Sequence, residues 1–243
     1  AQARSACCCF KGRGESAVPK GAKRLTGAFL LCESLLYIWF LSMDLWGEGN
    51  SSLIKYASIL LCLAFSVWGT LGRGGERLVC LALFLTAWAD WYLLVLNRHY
   101  ALGVGIFCGV QLCYFLRLWQ KSGGQSWWGA RLVLALGTLA GLWVLGQFTI
   151  LNVLVAMYFT TFLCSAGLSL TLWGKRMRLF SLGLVLFLCC DVWVGIFNAH
   201  SLLPNGFYAF ARVGMWLFYL PAQVLISLSA LPEAWFGGMK VEK

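Results

Sequence analysis

Two aspartates stand in apolar surroundings where a carboxylate is costly, and their settings repeat. Leu83-Phe84-Leu85 precedes Asp90 and Leu186-Phe187-Leu188 precedes Asp191, and an asparagine, Asn97 or Asn198, follows each acid by seven residues. A charged group in hydrocarbon costs a few kcal/mol or more, so each needs a partner or a purpose. Two carboxyls in different environments can divide acid chemistry between them. One, surrounded by hydrocarbon, keeps its proton, while the other stays ionised beside a cation. Lys55 and Arg212 are the available cations, and Gln111, Tyr114, Tyr219 and Gln223 add amides and phenols in similar surroundings. No group of residues has metal-ligand spacing, so neither a metal nor another cofactor is expected.

The elements that must carry these residues follow from composition. Of 243 residues, 60% are apolar and 12% charged, against about 25% charged in an ordinary soluble domain. The apolar residues run in stretches of about twenty, long enough for a hydrocarbon core of about 30 Å. The spacing predicts an all-α, polytopic transmembrane helix bundle of eight spans, at 27–46, 53–71, 78–96, 100–119, 130–149, 151–173, 178–197 and 207–230. Residues 1–26 read as a basic tail and 231–243 as a second tail, both cytoplasmic. The repeated motif on the third and seventh spans is what two parallel halves, 27–119 and 130–230, would show, although so short a likeness also arises by chance.

The formal charge of +10 would suggest nucleic acid if it gathered on a soluble face. Here the cations lie between apolar stretches and no nucleic acid partner is expected. With the eight spans, sixteen of the 19 basic residues fall on one side and only Lys55, Arg98 and Arg212 on the other, the asymmetry of a cytoplasmic side. Both termini are then cytoplasmic in a multi-pass protein of the cell membrane. The first 26 residues are too polar for a secretory signal, and no cleavage site follows.

Residues three, four, seven or eleven apart share a helix face. That rule aligns Tyr208, Arg212, Tyr219 and Gln223 on the eighth span, and Lys55, Ser58, Cys62 and Ser66 on the second. It likewise aligns Glu33, Tyr37 and Asp44 on the first, Thr86, Asp90 and Asn97 on the third, and Gln111 with Tyr114 on the fourth. Lipid cannot satisfy such faces, so they turn inward. The expected result is a polar cavity, open toward the non-cytoplasmic half and closed below by apolar layers.

Plainer readings stand beside this one. Asp90 can be a packing staple paired with Arg212 or Lys55, and Glu33 can reach the cytoplasmic interface. His99 and His200 suit short outer loops, and most tryptophans suit interface belts. Cysteines within spans behave as small apolar residues, and Cys7, Cys8 and Cys9 form part of the tail.

The segments Leu83 to Tyr114, Leu186 to Asn198 and Tyr219 to Ser229 resemble the lysoplasmalogenase family of YhhN-like eight-span membrane proteins. The corresponding residues are Ala89-Asp90, Gln111 with Tyr114, Cys190-Asp191, Ala222-Gln223 and the lysine of Lys55-Tyr56. Gln111 stands where the family has histidine, which removes a group able to carry a proton near neutral pH, while both aspartates are kept. The resemblance implies hydrolysis of the vinyl ether bond of a lysophospholipid drawn from the bilayer, releasing a fatty aldehyde and a glycerophospho-base. Asp90 and Asp191 are the expected catalytic pair, with the roles of acid and anion unassigned between them. Lys55, Gln111, Tyr114, Arg212, Tyr219 and Gln223 are the expected substrate-binding residues. The same cavity would also serve a small transporter or lipid-binding protein that performs no hydrolysis.

Overall fold

The computed structural model describes residues 19–47, 49–198 and 205–236, with the side chains of 205–209 excepted. Of the tail cations, Arg4, Lys11 and Arg13 lie outside the described residues, together with Cys7 to Cys9, His200, Lys240, Lys243 and the side chain of Tyr208, while Lys20, Lys23 and Arg24 belong to the first helix. Eight long helices follow one another: α1 Lys20–Trp46, α2 Ser52–Thr70, α3 Arg77–Asp90, α4 Tyr100–Lys121, α5 Trp128–Val144, α6 Ile150–Leu170, α7 Lys175–Asn198 and α8 Asn205–Leu228. There are no strands among the described residues. Among the described residues seven segments, with α3 counted through Val95, are long and apolar enough to cross a membrane. The eighth, α5, has 17 residues, about 26 Å at 1.5 Å per residue, against the 130–149 stretch expected.

Local chemistry sets the ends. Pro19, whose fixed φ suits a helix entrance, precedes α1 and accepts from Ala22 N–H. Gly47 closes α1 in the left-handed region at φ 71°, where a Cβ is costly. α1 therefore starts seven residues before the expected boundary. Asn50 Oδ1 accepts from Ser52 N at 2.9 Å to open α2. Thr149 caps α6 by accepting from Asn152 N, which explains why the chain breaks between Val144 and Ile150.

The most extensive packings are α7 on α8 and α3 on α4, the last two helices of each expected half. The first is close because Gly183 leaves room. A Cβ there would lie 2.8 Å from Ile226 Cγ1 and 3.1 Å from the Ala222 carbonyl oxygen. Small residues let helix backbones approach in lipid, where no hydrophobic force drives them together. Past α8, Leu231 is buried and Trp235 packs on Trp68 at 5.5 Å between ring centroids. The start of the expected tail is thus docked on the bundle.

Candidate functional site

Asp90 is the last residue of α3, and a π-helical turn, Trp91–Val95, continues from it. The wide turn is held by Leu96 N–H donating to the Trp91 carbonyl at 2.9 Å. Such turns interrupt the regular ladder and recur at functional sites. Tyr219 of α8 donates its hydroxyl to Asp90 Oδ2 at 2.7 Å. Asp191 of α7 is served the same way, by Tyr158 of α6, whose hydroxyl donates to Oδ2 at 2.7 Å. Neither aspartate has a lysine or arginine partner among the described residues.

The cations expected beside them lie elsewhere. Lys55 Nζ pairs with Asp44 Oδ2 at 2.6 Å and sits 4.8 Å from the centre of the Trp216 ring. Ser51 donates to the other Asp44 oxygen at 2.6 Å, and the exposed Arg212 donates to the Asp44 carbonyl at 3.3 Å. The staple at this end therefore joins α1 to α2, and Asp90 takes no part in it. A phosphate held by Lys55 would have to compete with Asp44.

Buried polar side chains on α3, α4 and α8 leave their own bonds open. Gln111 is 1% exposed and Gln223 fully buried, yet neither amide finds a hydrogen-bond partner among the described residues, and the same holds for the Tyr114 hydroxyl and Thr86 Oγ1. Gln111 lies against the Tyr158 hydroxyl and Tyr114 against Thr86, without bonds of good geometry. Buried polar groups left open cost about 1–3 kcal/mol each, so such a cluster marks a place for water or ligand. Both carboxylates lie within electrostatic range of the Cys190 thiol.

Aromatic rings join the two acid–tyrosine pairs. Phe187 lies 5.3 Å from Tyr219 and 5.1 Å from Phe162, whose ring is 5.9 Å from Tyr158. Phe107 bridges Phe187 and Tyr158 by a second route, at 6.0 and 6.2 Å. Of the expected site residues, Asp90, Tyr219 and Asp191 thus bond to tyrosine or acid, Gln111, Tyr114 and Gln223 are buried and open, and Lys55 and Arg212 belong to the Asp44 cluster.

Toward the basic end the floor differs from the apolar layers expected. Arg117, 1% exposed, stacks over Phe180 at 4.1 Å and donates to Ser229 Oγ and its carbonyl at 2.8 and 3.0 Å. Arg176 also donates to the Ser229 carbonyl, at 2.9 Å. These guanidinium groups satisfy carbonyls freed where α8 ends. Glu76, just before α3, pairs with Lys121 at 3.1 Å and Arg176 at 3.3 Å. Burial alone would push its carboxyl up, but Arg117, Arg176 and Lys121 together hold it below the usual carboxylate range. Glu33 follows its inward-turned stripe and not the reading that took it to the cytoplasmic interface. It is 3% exposed, about 20 Å along α1 from Lys20, and accepts from the Cys62 thiol at 3.4 Å with Oε2 unpartnered.

A chain whose described residues are helical, with seven long apolar helices among them and polar groups turned to the interior, is a multi-pass membrane protein. The sequence matches the YhhN family over residues 50–230, and the chain belongs to that family. Comparison with curated proteins and with solved structures gave no match.

Proposed function

We propose that this YhhN-family protein is a lysoplasmalogenase-like hydrolase, cleaving the vinyl ether bond of a lysophospholipid by acid catalysis inside the bilayer. The observation that carries the reading is the matched pair of bundle carboxyls, each anchored by a tyrosine hydroxyl and neither neutralised by a cation among the described residues. In each, the tyrosine occupies Oδ2 and leaves Oδ1 for a transferable proton.

Cleavage begins when a carboxylic acid protonates the outer vinyl carbon. The carbon–carbon double bond is consumed and an oxocarbenium ion forms. The second carboxylate stabilises that cation, as paired carboxyls do against a similar ion in glycosidases, and the faces of Phe187 and Phe107 add cation–π attraction. Water then attacks the cationic carbon and gives up a proton to the spent carboxylate. The hemiacetal collapses to aldehyde and alcohol. Water is consumed, nothing is oxidised or reduced, and the proton returns to its donor. Gln111 and Gln223 would orient the water or the glycerol hydroxyl, with Tyr114, and Lys55 and Arg212 would meet the headgroup.

In this reading α5 also crosses the membrane, making eight spans with both termini on the basic, cytoplasmic side of the cell membrane. A second reading, a proton-coupled transporter, draws on Glu33, a third bundle acid with an open oxygen. The test is mass-spectrometric profiling of lysolipids incubated with detergent-purified protein. Fatty aldehyde and glycerophospho-base support the hydrolase. Substrate-dependent proton movement in proteoliposomes without product supports the transporter.

A further inference from the structure

The helices α4 and α5 follow one another through a six-residue connection, yet their backbones do not pack together, and α5 leans on α6 alone among the described elements. Between them runs a cleft of about 390 Å³, within the roughly 300–1,000 Å³ of ligand sites. Its α4 wall is the stripe Cys108, Leu112 and Phe115, its α5 wall Leu132 and Ala135, and Met157 of α6 lies at its base. This stripe is displaced by one residue from Phe107, Gln111 and Tyr114, which face the acids, so the cleft is a separate place on the outside of the bundle. A lipid-facing gap of this lining stays dry, and hydrocarbon is what fills it.

At the basic end of the cleft sits Arg131, 7% exposed. Its Nε donates to the Ser126 carbonyl at 2.7 Å, Nη1 to the Thr161 carbonyl at 2.8 Å and Nη2 to Ser165 Oγ at 3.1 Å. A guanidinium has five N–H donors, so two remain. Its charge has no carboxylate partner among the described residues, and its ring neighbour is Phe115, 4.8 Å away. A buried cation left uncompensated is costly, and an anion arriving from the interface relieves that cost. Trp128, 65% exposed at the same end, is the residue type that settles at headgroup level.

We propose that this cleft is a binding site for an anionic glycerophospholipid of the bilayer, its phosphate on Arg131 and one acyl chain lying between α4 and α5. Arg131 lies about 5 Å along α5 from its start, whereas Asp191 lies about 24 Å along α7 from the same end. A lipid held by Arg131 therefore keeps its linkage region far from the aspartates, and the site is independent of their chemistry. The bound chain supplies the packing that joins α5 to the rest of the bundle.

Native mass spectrometry of the full-length protein in detergent tests this, with phosphatidylglycerol and diacylglycerol of the same chains as probes. One phosphatidylglycerol should be retained per protein, and diacylglycerol should not. Arg131→Gln should cut retention about tenfold, the cost of a hydrogen bond to a charged group. Ala135→Trp, which fills the cleft and leaves the guanidinium in place, should cut it as far and decides the matter if the arginine variant does not fold. Equal retention of diacylglycerol, or undiminished retention of phosphatidylglycerol by a folded variant, overturns the site and shows annular lipid only.

Discussion

The hydroxyl of Tyr219 meets Asp90 Oδ2 at 2.7 Å across 129 positions of chain, so α8 fixes the carboxyl at the point where α3 widens into its π-helical turn. This bond positions the acid without neutralising it. Tyr219→Phe should therefore leave the fold intact and lower aldehyde release about 10- to 100-fold, the cost of one hydrogen bond to a charged group. Steady-state kinetics beside a thermal melt check it. Tyr158→Phe should act likewise on Asp191, and the pH profile of each variant assigns the roles. Loss of the acid's anchor shifts the alkaline limb of the rate, and loss of the anion's anchor shifts the acid limb.

At the opposite end from the arginine floor, Asp44 and Lys55 should behave as a buried pair. Lys55→Gln leaves a carboxylate of 10% side-chain exposure without its cation, which costs about 3–5 kcal/mol. Adding Asp44→Asn should recover most of that. A double-mutant cycle of melting temperatures reads the coupling, and additive losses would deny it.

The Glu76 carboxyl is held below its ordinary range by Arg117, Arg176 and Lys121. A depressed acid contributes stability that is present above its unfolded value of about 4.3 and is lost as pH falls through the folded value. The wild type should therefore lose stability below about pH 4.3 more steeply than Glu76→Gln, which should start about 1–3 kcal/mol less stable at pH 7. Melting curves taken from pH 7 down through the range below about pH 4.3 compare them.

Gly183 has no space for a side chain beside Ile226 and Ala222. Gly183→Val should push α7 from α8 and cost about 1–3 kcal/mol. Because Tyr219 rides on α8, the same change should also lower aldehyde release. A melt and an activity assay on one preparation check both.

Much of this arrangement was legible in the sequence. Long apolar runs dictated the helices, and helical spacing grouped Gln111 with Tyr114 and Tyr219 with Gln223, all of which the structure buries. Charge partners were less legible, because pairing depends on how helices rotate against one another. Asp90 therefore went to a tyrosine and Lys55 to Asp44. Tyr158 escaped notice although the rule reaches it, since Tyr158, Ser165 and Ser169 lie seven and eleven residues apart on α6. Arg117, within the 100–119 stretch, counts among the cations of the basic side, yet it continues the Gln111 and Tyr114 face three residues on. A long guanidinium can turn inward where α8 ends and leaves carbonyls open. The shortness of α5 was hidden because Leu145 to Ile150 is apolar enough to extend a run, while Gly146 at φ 66° and the Thr149 cap break it.

In the proposed reaction a bundle carboxyl delivers a proton to carbon. Purified protein given a lysoplasmalogen in heavy water, with the aldehyde reduced as it forms, tests it most directly. A fatty alcohol carrying one deuterium at the carbon next to the former carbonyl is expected, with loss of product in both Asp90→Asn and Asp191→Asn. Product without that deuterium, or product undiminished in both variants, would contradict it.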